Sequence, residues 1–200
     1  MANFITLFRF PLLFVYLLCI YFGESSIILW CIPFIIIIFF LDTVDGYVAR
    51  IRGEANVLGA AMDIATDRTL EIILWMAFAD LNLVPVIIPF IVVVRGTMGD
   101  AIRSIGVRQG LAAFEQLTHP INKFLVSSRF MRNLYGIFKG LAFALLTLTL
   151  WMRAASISYV DLWHFFSLAI SWAVIVLNIV RGLPIFIEGY KLFFRQNTNG

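Results

Sequence analysis

Six runs of mainly apolar residues, at about 4 to 22, 26 to 49, 57 to 79, 82 to 103, 133 to 152 and 162 to 187, take up most of this chain. Each has about the length that a helix needs to cross the hydrocarbon of a bilayer. Their separators are short or polar: GESS follows the first run, RIRGEAN the second, DLNLVP the third and RAASISYVD the fifth. Of the 200 residues, 62% are hydrophobic and 14% charged, whereas an ordinary soluble domain carries roughly 25% charged residues. The pattern predicts an all-α integral membrane protein with six transmembrane helices. No Pro/Gly/Ser-rich linker, low-complexity tract or clear internal repeat divides the chain, so residues 1–200 are expected to form a single domain.

The positions of the charges set the expected orientation. An even number of spans puts both termini on one side, and that side collects Arg50, Arg52, Arg103, Arg108, Lys123, Arg129, Arg132, Lys191 and Arg195. The opposite loops hold Arg153 beside Glu24, Asp80 and Asp161. Lys and Arg accumulate on the cytoplasmic side of membrane proteins, so both termini are expected to be cytoplasmic. The net charge of +3 is too small to argue for nucleic acid as a partner. Arg9 is the only early cation and lies inside the first apolar run, with no A-x-A-like site after it, so that run is expected to stay as a span rather than act as a signal peptide. The stretch QGLAAFEQLTHPINKFLVSSRF fits either a short amphipathic surface helix, with Leu111, Phe114 and Leu117 roughly on one face, or a plain connecting loop. Cys19 and Cys31 lack C-x-x-C spacing and read as small core hydrophobes. His119 and His164 read as packing residues near the interface.

Against this apolar background, the stretch DTVDGYVARIRGEANVLGAAMDIATD is anomalous. On helices, Asp42 and Asp45 are i, i+3 neighbours and Asp63 and Asp67 are i, i+4 neighbours, so each pair projects from one face. Gly46 follows Asp45, and Gly59 lies one turn before Asp63, leaving room for a ligand or a helix to approach. An aspartate near the middle of a span costs roughly 2.5–3.5 kcal/mol, so four of them call for neutralisation. Arg50 and Arg68 are possible partners, and hard divalent cations suit clustered carboxylate oxygens. One or two metals held in this way could also hold a substrate's phosphates. A solvated boundary with salt bridges is the plainer alternative for any single aspartate. A cation transporter or channel is a reading of a different class, but it predicts a site near the midplane and often an internal repeat. Neither is apparent in the sequence.

The run Asp42, two residues, Asp45-Gly46, two residues, Ala49-Arg50, eight residues, Gly59, three residues, Asp63, three residues, Asp67 resembles, without a gap, the signature of the CDP-alcohol phosphotransferases. The resemblance implies an enzyme that moves a phosphatidyl or similar group from a CDP-linked donor such as CDP-diacylglycerol to a small alcohol, releasing CMP, with Mg²⁺ or Mn²⁺ in a two-metal site. It implies that Asp42, Asp45, Asp63 and Asp67 ligate metal, with Asp67 also the general base, and that Gly46 and Arg50 contact the CDP part. Asn3 and Thr6 match the N-x-x-T element that the family often carries before its first span, which implies donor contacts, although helix capping is an alternative for either. Asn56 stands where relatives tend to have Ser or Thr near the nucleotide, and a contact there is implied too. The resemblance also implies membrane lipids and a second copy of the chain as partners, and a place in a bacterial inner membrane with the active site on the cytoplasmic side.

Cations beyond the signature bear on the acceptor. Arg95, Arg103 and Lys139 lie within or at the ends of expected spans. Snorkelling to the interface accounts for Arg103, whereas Arg95 and Lys139 would be better placed facing an anionic substrate. A phosphorylated acceptor needs such cations. The segments VVRGTMGDAIRS and YGIFKGLAF are similar to later basic positions of phosphatidylglycerophosphate synthases, which points to glycerol 3-phosphate. The segment DIATDR departs from the Asp-Pro-x-Ala-Asp-Lys common in those synthases, and inositol phosphate, serine or another alcohol stays open as acceptor.

Overall fold

A computed structural model describes residues 2–51, 57–108 and 128–197. These residues form six α-helices: α1 (Ala2–Phe22), α2 (Ser25–Ile51), α3 (Val57–Asp80), α4 (Ile87–Arg108), α5 (Arg129–Ala154) and α6 (Val160–Asn197). No strand occurs among the described residues. Each expected apolar run therefore corresponds to a helix. Two stretches, Phe130–Ala154 and Val160–Pro184, are long and apolar enough to cross a membrane by length and composition, and Thr6–Phe22 and Ser25–Leu41 are shorter apolar stretches. Charges interrupt α3 at Asp63, Asp67, Arg68 and Glu71, and α4 at Arg95, Asp100 and Arg103.

The fourth helix begins at Ile87, five residues later than the expected start. The cause is the way α3 ends. Asn82 is left-handed, with φ 57°, while Leu83 N–H donates to Phe78 C=O at 2.9 Å and Asn82 N–H to Ala79 C=O at 3.0 Å. This 6→1 and 5→2 pair is a Schellman stop. The end of α5 repeats it, with Ser156 at φ 53° and bonds from Ile157 to Met152 and from Ser156 to Arg153. The α6 helix runs through Pro184, a position where the ring removes one ladder hydrogen bond.

The chain forms two compact units, Met1–Pro89 with Gly140–Ser171, and Phe90–Lys139 with Trp172–Gly200. In the first unit, α1 packs on α2 and on α3. Its buried stripe is Thr6, Arg9, Leu13, Tyr16 and Ile20, spaced 3, 4, 3, 4, the period of one helix face. The stripe of α2 is Ile28, Cys31, Ile35 and Ile38. Phe143 of α5 joins the elements: its ring lies 5.6 Å from Phe39, 4.7 Å from Trp75 and 5.8 Å from Phe78. Beside it, the hydroxyls of Tyr16 and Thr147 share a hydrogen bond of 2.7 Å. The helices α5 and α6 are tied by a 2.7 Å bond between Thr149 and Ser167.

His164 is a polar tie rather than a packing residue. Arg153 Nη2 lies 3.2 Å from its Nδ1, and Leu83 C=O lies 2.9 Å from its Nε2. A guanidinium only donates and a carbonyl only accepts, so these two contacts are both met by the tautomer that carries its proton on Nε2. Arg153 Nη1 also donates to Asn82 C=O at 3.2 Å, which secures the α3–α4 turn. Cys19 is part-buried and Cys31 buried, both as free thiols, in keeping with a packing role. His119 and most of the 104–132 connection lie outside the described residues.

Candidate active site

The site in the first unit is built on one face of α3. Asp63, Asp67 and Glu71 succeed each other at intervals of four, so they stack along that face. The same helix buries Thr66, Leu70, Leu74, Trp75 and Phe78 completely or nearly so. This apolar packing fixes the rotation of α3 and therefore the direction of its carboxylates. Asp63 is part-buried, and the side chain of Asp67 is 38% exposed. Asp67 keeps a route to solvent or substrate while Glu71, at 1% exposure, does not.

Arg9 of α1 reaches this face. It is wholly buried, and its Nη2 lies 3.8 Å from Asp67 Oδ1. That separation makes a charge contact rather than a hydrogen bond. A buried guanidinium requires opposite charge nearby, because stripping its hydration is otherwise prohibitive. Arg68 lies at the weaker distance of 4.0 Å from Glu71 Oε2. The described charges of the face thus alternate in sign: Asp63, Asp67 and Glu71 against Arg9 and Arg68.

Neither Arg9 nor Glu71 stands out in the sequence as a site residue. For Glu71 a signal exists, since it continues the four-residue interval of Asp63 and Asp67. For Arg9 the signal is its position three residues after Thr6, which places both on the buried stripe of α1. Thr6 lies in the second turn of α1, beyond the position from which a side chain caps a helix start. It is nearly fully buried, on the same stripe of α1 as Arg9.

The other residues of the signature divide by location. Asp42, Asp45, Gly46 and Arg50 belong to α2, Asn3 to α1 and Arg103 to α4, and the side chains of all six lie outside those described. Asn56 lies wholly outside the described residues. Among the described residues no group of three or more His, Cys, Asp or Glu side chains converges as a metal site. Asp63 and Asp67 supply the hard oxygen donors that suit Mg²⁺ or Mn²⁺, and the remaining donors expected from the sequence are the two carboxylates of α2.

The second unit holds basic residues. Lys139 of α5 is 4% exposed, so it is a buried cation rather than one that snorkels to a surface. Its Nζ lies 5.7 Å from the centre of the Tyr135 ring, and Arg181 Cζ of α6 lies 5.2 Å from the same centre. Both distances fall in the cation–π range. Asn178 Nδ2 donates to Tyr135 Oη at 2.8 Å, while Asn178 Oδ1 is buried with no hydrogen-bond partner among the described residues. Arg95 of α4 packs against Gly182, next in the chain to Arg181. Lys139 is thus grouped with Arg181, Tyr135 and Asn178, which belong to no local motif, whereas Arg95 is placed by its packing on Gly182.

The described residues are helical throughout, with two helices long and apolar enough to cross a membrane, two carboxylates one turn apart on α3 and a buried lysine in the second unit. The sequence profile of the CDP-alcohol phosphatidyltransferase family matches residues 1–157, and the chain belongs to that family. It is accordingly a transferase that passes a phosphatidyl group from a CDP-alcohol to an acceptor. Members of the family are typically integral to membranes and generally use Mg²⁺ or Mn²⁺. No curated protein sequence matches the chain.

Proposed function

We propose that this enzyme transfers the phosphatidyl group of CDP-diacylglycerol to glycerol 3-phosphate, giving phosphatidylglycerophosphate and CMP. The observation that carries the choice of a phosphorylated acceptor is the pair of cations, Lys139 and Arg181, gathered on the Tyr135 ring, with Lys139 almost fully buried. Two basic side chains brought to one ring concentrate positive charge, which favours a phosphorylated acceptor over a neutral one such as serine.

In this reading Asp42, Asp45, Asp63 and Asp67 would hold one or two Mg²⁺ or Mn²⁺ ions, whose charge would offset that of the donor's diphosphate. Gly46, Arg50, Asn3, Thr6 and Asn56 contact the CDP moiety. Arg95, Lys139 and Arg103, with Arg181, hold the acceptor's phosphate. The acceptor hydroxyl oxygen forms a bond to the phosphorus that bears the diacylglycerol, the bond from that phosphorus to the oxygen bridging to CMP breaks, and CMP departs with the electron pair. The hydroxyl proton passes to an Oδ of Asp67, which acts as general base. Arg9 steadies the Asp67 carboxylate by charge while leaving it accessible. The reading includes six membrane spans with both termini cytoplasmic, a single catalytic domain, a homodimer and a bacterial inner-membrane location.

The test is to give the purified protein CDP-diacylglycerol, Mg²⁺ and a panel of alcohols, and to measure CMP release and product mass. CMP release with glycerol 3-phosphate, and a product of the matching mass, is expected. Release with inositol phosphate or serine alone would replace the acceptor, and no release with any alcohol from folded protein would overturn the reading.

A further inference from the structure

We propose that Gly182 is a positioning residue for Arg95: the missing side chain at this turn of α6 gives the Arg95 chain the space in which it lies. The proposal rests on the reading of Arg95 as a cation for the acceptor's phosphate. A Cβ at position 182 would stand 2.8 Å from Arg95 Nε, 3.0 Å from its Cγ and 3.5 Å from its Cδ. The contact involves the middle of the arginine chain as well as its head, so turning the guanidinium alone does not relieve it. The whole chain from Cγ outward has to move.

The available space does not suit the displaced group. Arg95 lines a cavity of about 240 Å³ whose other walls are Phe90, Ile91 and Val94 of α4 and Ile179, Leu183 and Phe186 of α6. Apart from Arg95 that lining is apolar, so a guanidinium pushed further into it would meet hydrocarbon, which is costly for a charged group. Glycine also weakens a helix interior relative to alanine. Its presence at 182, in line with the buried Ser167, Ser171 and Asn178 of the same helix, is explained by packing, and Arg95 is what packs there.

The experiment is a double-mutant cycle of Gly182→Ala and Arg95→Ala, with kcat and the KM of glycerol 3-phosphate and of CDP-diacylglycerol measured for all four proteins, together with thermal midpoints. Gly182→Ala is expected to raise the acceptor KM about tenfold, within the range for residues in direct contact, with kcat and the donor KM within about twofold of the parent. In the Arg95→Ala background the same substitution is expected to leave the acceptor KM unchanged. An equal rise in both backgrounds would overturn the proposal, as would a fall in kcat without a change in acceptor KM. If Arg95→Ala itself leaves the acceptor KM at the parent value, the reading of Arg95 as a phosphate ligand fails, and the midpoints then decide the packing claim separately. A midpoint lowered by Gly182→Ala only when Arg95 is present upholds it, and equal changes in both backgrounds refute it.

Discussion

The two units of the molecule use buried charge in opposite ways. On the α3 face of the first, carboxylates alternate with guanidinium groups, Asp67 near Arg9 and Glu71 near Arg68. In the second, Lys139 and Arg181 both lie within cation–π distance of the Tyr135 ring. A cation against a carboxylate has its charge offset there, whereas two cations drawn to one ring quadrupole place like charges close together. The first arrangement suits a group that must stay ionised and take a proton, and the second suits the reception of an anion. Substitutions in the two units should therefore move different kinetic parameters.

The largest effect is expected at Asp67. Asp67→Asn keeps the volume and removes the basic oxygen, so turnover should fall by about 10²-fold or more, while CDP-diacylglycerol still binds measurably. Turnover at the parent level would remove Asp67 from the chemistry. Next in size, Arg9→Gln deletes a fully buried charge beside Asp67. Breaking a wholly buried pair costs about 3–5 kcal/mol, and the partial exposure of Asp67 limits the loss here to the lower end, about 3 kcal/mol. A fall in the thermal midpoint and in kcat, with the acceptor KM held, is the expected pattern. An unchanged midpoint would mean that the charge contact contributes nothing to the fold. In the second unit, Lys139→Met should raise the acceptor KM by about 10–100-fold, the size of a hydrogen bond to a charged group, with the donor KM unaffected. Should Lys139→Met instead act on kcat and donor KM as the first-unit substitutions do, the contrast between the units collapses.

The same contrast decides what the sequence could reveal. Asp63 and Asp67 fall at fixed intervals on a single helix, and a regular interval is visible in one dimension. The six helices were legible for the same reason, since apolar length is a local property. The start of α4 was not, because the Schellman stop depends on Asn82 adopting a left-handed conformation, which asparagine tolerates but does not demand. Arg9, Tyr135, Asn178 and Arg181 acquire meaning only from partners on other helices or at other turns: Arg9 is 58 residues from Asp67, and Tyr135 is 43 from Asn178. Arg95 and Lys139 were visible as charges out of place, but the glycine that accommodates Arg95 was not, because nothing local separates it from a helix defect.

The smallest expected effect tests whether polar groups of the first unit that lie off the α3 face are purely structural. Tyr16 shares its hydroxyl with Thr147, and Thr147 also donates to Phe143 C=O at 2.7 Å. In Tyr16→Phe, Thr147 keeps that backbone bond, so no hydroxyl is stranded. The loss is then that of one ordinary hydrogen bond, about 0.5–1.5 kcal/mol, read as a slightly lower thermal midpoint. The ring still packs 6.3 Å from Phe34, and kcat and both KM values should match the parent. Tyr16 lies two turns along the same buried stripe from Arg9, so a change in kcat would show that the α3 face responds to the packing of α1 beyond the residue that touches it, and would extend the charged region of the first unit into its apolar core.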